Sequence, residues 1–150
     1  MTAGVVVLVA VLAAATAFGA YRRLTDGRIR GVDPRHHVTD VPPTVLTADD
    51  LGAPLGERAT LVQFSTAFCQ PCRPTRRVLS HVAGLVDGVR HVDVDAESHL
   101  DLVRRLDVVR TPTVLVLDGA GRVARRAVGV PREADVVAAL GAVIPDEPRR

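Results

Sequence analysis

The sequence predicts an α/β fold with a central mixed sheet covered by helices on both faces, preceded by one N-terminal transmembrane helix. Strand and helix patterns alternate from residue 44 onward in the order β-α-β-α-β-α-β-β-α, which is typical of such a sheet. Both cysteines, Cys69 and Cys72, lie between an apolar strand pattern and a helical pattern. Residues 3–21 contain no charged side chain.

The chain of 150 residues has the size of one domain with an appendage. We divide it into a transmembrane helix (residues 1–23), a flexible tether (24–43), a folded domain (44–146) and a disordered tail (147–150). The net charge of +2 comes mainly from arginines near the two ends, which does not indicate a nucleic-acid-binding face.

The uncharged segment at residues 3–21 would form a helix of about 28 Å, close to the thickness of a bilayer's hydrocarbon core. A cleaved signal peptide is the alternative, because Ala15-Thr16-Ala17 resembles a cleavage site. Signal peptides carry positive charge before the apolar region, whereas here it follows, at Arg22, Arg23, Arg28 and Arg30. Since Lys and Arg mark the cytoplasmic flank, we expect a single-pass protein of the cell membrane with its domain in the cytoplasm; an extracytoplasmic domain is the alternative.

Residues 24–43 are polar and show neither helical nor strand periodicity. They predict a tether that spans at most about 65 Å when extended. His36 and His37 lie in this segment, but adjacent residues of a flexible segment rarely converge on one metal ion. We therefore interpret both histidines as part of a solvated linker.

The first half of the domain begins with a short strand predicted at residues 44–46. Thr47 then opens a helical turn. Residues 60–65 are mostly apolar and predict a strand that is buried on both faces. After the cysteines the helical pattern extends to about residue 86, and Pro74 near its start is expected to remove one intrahelical hydrogen bond.

In the second half, Ser98 with Asp101 three residues later resembles a capping box, which predicts a helix through Leu106. Pro131 is expected to start the last helix, which has one apolar face. The remaining strands are predicted at residues 89–94, 113–117 and 122–128, the last two as a hairpin.

The spacing of the two cysteines favours a redox pair over a zinc site, because no second Cys pair or His pair supplies the other two ligands. Thiol-disulfide exchange needs a thiolate as the attacking group. Cys69 lies where a helix begins, and the unpaired N–H groups and the helix dipole stabilise an anion there. We therefore predict Cys69 as the nucleophile and Cys72 as the resolving thiol, with no cofactor besides this pair.

Residues 44–144 resemble the thioredoxin family. Cys69-Gln70-Pro71-Cys72 resembles its C-x-P-C motif, and Thr111-Pro112-Thr113 resembles the cis-proline segment that faces the cysteines. Gly119-Ala120-Gly121, followed by Gly129, resembles its terminal hairpin and the glycine beside the active surface. The resemblance implies the thioredoxin-like three-layer fold and a cis peptide bond before Pro112. It also implies a substrate-binding surface formed by Phe68, Pro71, Thr111, Val128 and Gly129.

Three positions depart from the family. Phe68 replaces the Trp that usually precedes the first cysteine. Gln63 falls on the buried acid of the preceding strand, and His91 is the residue offered where the family often has a buried Lys. Gln63 and His91 are thus the candidates for a proton relay, although an amide cannot take a proton.

The sequence thus predicts a membrane-tethered thiol-disulfide oxidoreductase that reduces protein disulfides. Its expected partners are protein disulfide substrates and the membrane, and neither nucleic acid nor a particular electron donor is indicated. One alternative is a metal-binding module that delivers copper through the same thiols. Another is a thioredoxin-fold interaction domain without turnover, which the presence of Gln63 favours.

Overall fold

The computed structural model describes residues 2–25, 30–31 and 44–144 of the chain. The helices are α1 (Thr2–Thr25), α2 (Ala48–Leu51), α3 (Cys72–Leu85), α4 (Leu100–Arg105) and α5 (Glu133–Val143). The strands are β1 (Arg30–Gly31), β2 (Ala59–Ser65), β3 (Val89–Asp95), β4 (Thr113–Asp118) and β5 (Val123–Val128).

The five strands form one sheet in the order β1-β5-β4-β2-β3. The sheet is mixed, as the sequence predicts. β2 and β3 run parallel, whereas the pairs β2–β4, β4–β5 and β1–β5 are antiparallel. In the register of the parallel pair, Gln63 lies opposite Asp93 and Leu61 lies opposite His91. Every residue of β2 is buried, which agrees with its mostly apolar sequence and its central place.

Two apolar clusters, one on each face of the sheet, make the three layers. One joins the sheet to α2 and α4 and includes Leu51, Phe64 and Leu102. The other joins it to α3 and α5 and includes Leu61, Leu79 and Leu140. Complete burial of one such side chain stabilises the fold by about 1.5–3 kcal/mol. The predicted three-layer architecture is therefore confirmed.

Helix α1 contains one segment, Gly4–Tyr21, that is long and apolar enough to cross a membrane, and all its residues are exposed. A signal sequence near an N-terminus has the same properties. The helix continues to Thr25, two residues beyond the predicted end. Most of the predicted tether, including His36 and His37, and the predicted tail lie outside the described residues. Residues 30–31 of that tether pair with β5 as strand β1.

The prediction of a strand at residues 44–46 was wrong. Val45 forms only an isolated bridge with Arg122. Thr47 directly afterwards is the N-cap of α2, so the chain leaves the sheet before a strand can extend.

The capping box predicted at Ser98 was also wrong. The Ser98 hydroxyl donates to Asp95 Oδ2 at 2.5 Å, and α4 begins at Leu100 without a side-chain cap. The aspartate at the end of β3 therefore holds the serine that would otherwise cap the helix.

The two prolines near helix starts also differ from expectation. Pro74 is the third residue of α3, and the first four N–H groups of a helix have no intrahelical partner. The expected loss of a hydrogen bond therefore does not occur. Pro131 precedes the N-cap residue Arg132, so α5 begins two residues after it.

Candidate active site

The two cysteines lie at the junction between β2 and α3, and the structure holds them as a disulfide with a Cα–Cα distance of 5.3 Å. Cys72 is the first residue of α3 and is only 3 % exposed. Cys69 lies in the preceding turn and is half-buried. The turn is closed by the N–H of Cys69, which donates to Thr66 O, and by the N–H of Cys72, which donates to Cys69 O, both at 3.2 Å. Cys69 is thus the more accessible sulfur.

A second loop, before β4, lies against this turn. Its Thr111–Pro112 peptide bond is cis, in agreement with the sequence-based expectation, and Pro112 is buried. The hydroxyls of Thr66 and Thr111 are 3.4 Å apart, which places the two loops side by side. Gly129 has φ +90°, a conformation that favours glycine, and its N–H donates to Pro112 O at 2.8 Å. The structure therefore brings Thr111, Pro112 and Gly129 together near the cysteines.

The other predicted substrate-binding residues lie at the edges of this surface. Phe68 is 94 % exposed in the turn before Cys69, and Pro71 is exposed between the cysteines. Val128 is half-buried at the end of β5, opposite Thr113 in the register. Their contact with a substrate stays a prediction.

An apolar pocket beside the cis-proline loop was missed by sequence reasoning. It has a volume of about 340 Å³ and runs between the loops at Thr66 and Thr111. Aliphatic side chains of and around α4 form its walls, namely Leu100, Val103, Val108 and Val109. Val109 is 80 % exposed, which is unusual for valine. This exposure points to the pocket, but it is known only from the structure.

Gln63 lies directly behind Cys72, where the sequence places it. Its side chain is fully buried, and its Nε2 donates to Cys72 O at 3.1 Å. Its Oε1 is buried and accepts no hydrogen bond from any described residue. A buried amide oxygen without a partner is costly, so this atom marks a site with unused hydrogen-bonding capacity.

His91 is not brought together with the cysteines. Its Nδ1 contacts Ser80 Oγ at 3.0 Å, and Ser80 lies eight residues beyond the start of α3, about 12 Å along its axis. Burial lowers the pKa of His91, while Asp93 acts in the opposite direction and Arg76 adds to the lowering. His91 is therefore favoured as a neutral imidazole, at a distance from Cys72.

Asp93, rather than His91, is the residue opposite Gln63 in the sheet. Its Oδ1 accepts from Ser65 Oγ at 2.5 Å, and its Oδ2 accepts from Arg76 Nε at 2.6 Å. Ser65 and Arg76 line a cavity of about 400 Å³ together with Cys69 and Cys72. The pairing register of β2 and β3 reveals this cluster, and the sequence alone does not give that register.

Charged side chains of both signs surround this cavity, with Arg73 and Arg76 from α3 and with Asp95 and Glu97 from the end of β3. Among the residues whose side chains the structure describes, no group of three or more His, Cys, Asp or Glu is placed to hold a metal ion. The chemical capacity of the site therefore lies in its sulfur atoms and in the polar groups behind them.

Comparison with known proteins gives a consistent result. The thioredoxin family model matches residues 45–142. Chloroplastic thioredoxin z is similar at 29 % identity, with 58 % of this chain and 79 % of that chain covered and a TM-score of 0.53. A mutant thioredoxin from Halobacterium salinarum shares 18 % identity over 61 % of this chain and 80 % of its own, with a TM-score of 0.54. A thioredoxin of Nicotiana alata shares 21 % identity over 59 % and 76 %, with a TM-score of 0.53. No curated protein sequence matches the chain.

Proposed function

This chain belongs to the thioredoxin family, and on that premise we propose that it is a membrane-tethered thiol-disulfide oxidoreductase that reduces protein disulfides. The proposal depends above all on one observation. A disulfide joins a half-buried Cys69 to a buried Cys72 at the first turn of α3. This arrangement offers one sulfur to a partner and keeps the other behind it.

The reaction starts from the reduced pair. The Cys69 thiolate attacks a substrate disulfide, forms a mixed disulfide and releases the first substrate thiolate. Cys72 then loses its proton and attacks Cys69 Sγ, so the second substrate thiolate leaves and the Cys69–Cys72 disulfide forms. The substrate gains two electrons, and a dithiol reductant must return two to the protein. The backbone N–H groups at the start of α3 favour the thiolate at Cys69.

The shape of the surface around the disulfide supports the proposal that the substrate is a protein. Phe68 is an exposed aromatic ring next to Cys69, and the apolar pocket beside Thr111 has room for an aliphatic side chain. The buried Pro112 places the loop of Thr111 beside the turn of Thr66. An extended chain with an apolar residue near its cystine would cover these features. Helix α1 would hold the enzyme at the membrane.

The test is dithiol-dependent reduction of insulin by the purified full chain. We expect Cys69→Ala to abolish activity and Cys72→Ala to accumulate mixed disulfides with the substrate. Ser80→Ala, an exposed change on the far part of α3, serves as the control and should retain wild-type activity. Full activity in Cys69→Ala would refute the proposal.

A metal-delivery module would use the same thiols, and metal content of the reduced protein measures that alternative directly. No contact in the described part of the chain adds a third ligand to the two sulfurs. The disulfide between Cys69 and Cys72 supports the redox function, which we retain as the proposal.

A further inference from the structure

We propose that Asp93 receives the proton of Cys72 when the mixed disulfide is resolved, and that the hydroxyl of Ser65 connects the two. This inference rests on the proposed function, because it concerns the second step of that reaction. Asp93 acts through Ser65 and is therefore a positioning residue for Cys72 rather than a group that touches the reacting sulfurs.

Resolution needs a proton acceptor because the attacking group is a thiolate. Cys72 is only 3 % exposed, so water reaches its sulfur only from the cavity that it lines. Gln63 is the side chain bonded to the Cys72 carbonyl, and its amide can donate and accept hydrogen bonds but cannot take a proton. An acceptor one step further from the sulfur can supply what this amide cannot.

The sheet places the carboxylate of Asp93 one hydrogen bond away from Ser65. Asp93 lies opposite Gln63 on the neighbouring parallel strand. Ser65 is two residues after Gln63, so its side chain projects from the same face of β2. Ser65 is 7 % exposed, and its hydroxyl donates to Asp93 Oδ1 at 2.5 Å. One face of two adjacent strands thus carries a hydroxyl that is bonded to a carboxylate.

The cavity links this pair to the sulfurs. Ser65, Cys69 and Cys72 all line the same space of about 400 Å³, which is large enough for several water molecules. A water molecule there would have the Ser65 hydroxyl as a polar partner. A proton of Cys72 can therefore reach Ser65 through such a water molecule.

Arg76 fixes the orientation of the carboxylate. It lies one helical turn after Cys72, and its Nε donates to Asp93 Oδ2 at 2.6 Å. Its Nη2 also forms an ion pair with the same oxygen. Because both contacts use Oδ2, Oδ1 remains directed at Ser65. The helix that carries the resolving cysteine therefore also holds the acceptor in place.

The step balances as follows. Cys72 S–H gives its proton, through a water molecule of the cavity, to Ser65 Oγ, whose own proton passes to Asp93 Oδ1. The electron pair left on Cys72 Sγ forms the bond to Cys69 Sγ. The bond between Cys69 and the substrate sulfur breaks, and the substrate leaves as a thiolate. The protonated Asp93 then loses its proton to solvent, to which its side chain is 21 % exposed.

Other titratable groups face the same space and belong in the design of the test. Arg73 and Arg76 face it from α3, Asp95 and Glu97 from the end of β3, and His91 precedes Asp93 on the same face of β3. From β2 only the uncharged Gln63 and Ser65 face Asp93. The variants below therefore leave all of these other titratable groups unchanged.

The test is single-turnover reduction of a disulfide substrate by the full chain from pH 6 to 9, with attack and resolution followed separately. A Cys72→Ser background isolates attack by Cys69. We expect Asp93→Asn to slow resolution on the order of 100-fold at pH 7, the lower range for a proton acceptor, and to leave attack unchanged. The deficit should shrink toward pH 9, where hydroxide removes the Cys72 proton. A purely structural role would slow the step equally at every pH.

Three variants complete the design. Ser65→Ala should reproduce the deficit and its pH dependence, whereas Ser65→Thr retains a hydroxyl and should resolve within about threefold of wild type. Asp101→Asn removes an exposed acid of α4 and is the charge control. Unchanged resolution at pH 7 in folded Asp93→Asn would overturn this inference alone. Absence of disulfide reduction by the wild-type chain would instead overturn the proposed function.

Discussion

At the scale of single residues, Gln63 is the fully buried amide directly behind Cys72. Its amide nitrogen is bonded to Cys72 O, while its amide oxygen is buried without a described partner. The fold therefore gains one hydrogen bond and loses the hydration of one oxygen. On balance the residue contributes little to stability, since a net hydrogen bond is worth only about 1 kcal/mol and a buried orphan costs a similar amount.

This balance predicts different effects on the free energy of unfolding for two substitutions of Gln63. Gln63→Met removes the bonded nitrogen and the orphan oxygen together, and the free energy of unfolding should change by less than about 1 kcal/mol. Gln63→Glu places a carboxyl opposite Asp93 and next to a carbonyl oxygen, and burial raises the pKa of such a group.

The sign of the pH effect follows from that direction. A group whose folded-state pKa is raised loses its stabilising contribution as the pH rises from the unfolded value to the folded one. We expect Gln63→Glu to be close to Gln63→Met near pH 4 and less stable by about 2 kcal/mol or more at pH 7.5. Urea unfolding at both pH values measures this. Equal stability at pH 7.5 would show that water reaches the site.

The residues that the sequence located correctly are those that belong to local motifs. Cys69, Cys72 and Pro112 are recognised from their immediate neighbours, and the structure places them accordingly. Asp93 was missed because it depends on register. Residues 91 and 93 lie on the same face of β3, and only the pairing with β2 decides which of them faces Gln63. No local pattern contains that information.

At the scale of elements, α2 shows how a four-residue helix is held. The Thr47 hydroxyl accepts from the N–H of Asp50 at 3.3 Å, and Asp50 Oδ2 accepts from the N–H of Thr47 at 2.9 Å. Arg105 Nη2 donates to the other carboxylate oxygen at 2.5 Å and so joins α2 to α4. The hydrogen bond from the backbone N–H of Thr47 is the main reason that the pKa of Asp50 is lowered, and Arg105 adds to it.

Asp50→Asn is therefore predicted to weaken the domain in a pH-dependent way. A carboxyl with a lowered pKa stabilises the folded state above its unfolded pKa and loses this contribution as the pH falls through the folded value. The variant should be less stable than wild type at pH 7, by up to about 1 kcal/mol, and the difference should shrink as the pH falls below the ordinary aspartate pKa of 3.8. Asp101→Asn, whose ion pair with Arg104 is fully exposed, should show no measurable difference at either pH. A pH-independent loss in Asp50→Asn would contradict this account.

Element types could be predicted because apolar spacing is local, and the helices and longer strands follow it. Element boundaries depended on competition between neighbours. Ser98 had a suitable partner three residues later in Asp101, but Asp95 on the preceding strand binds its hydroxyl instead. Thr47 had no such competitor and caps α2. The difference lies in a residue three positions before the expected cap, which a motif of four residues does not include.

At the scale of the whole molecule, the alternation of elements was enough to predict a mixed sheet with helices on both faces. The order of strands along the sheet was not predictable in full, because β1 comes from a polar segment with no strand pattern. Its pairing with β5 depends on an available sheet edge rather than on its own residues.

The orientation of the molecule in a membrane gives the last prediction. We expect the arginines that follow the apolar segment of α1 to hold the domain on the cytoplasmic side. A membrane-impermeant thiol reagent should then fail to label Cys69 and Cys72 in intact, dithiol-treated cells and should label them after lysis. Labelling of intact cells would place the domain outside. Release of the protein without residues 1–23 would identify α1 as a signal sequence.

The short strand β1 has a consequence for where this chemistry takes place. Only five peptide steps separate Thr25, the end of α1, from Arg30, and even a straight chain covers no more than about 18 Å in that distance. With residues 4–21 in lipid, the four further residues of α1 add about 6 Å, so β1 would lie within about 24 Å of the bilayer. This is far less than the roughly 65 Å that a free linker of twenty residues allows. Cystines of proteins that are themselves resident at the membrane would then be within range.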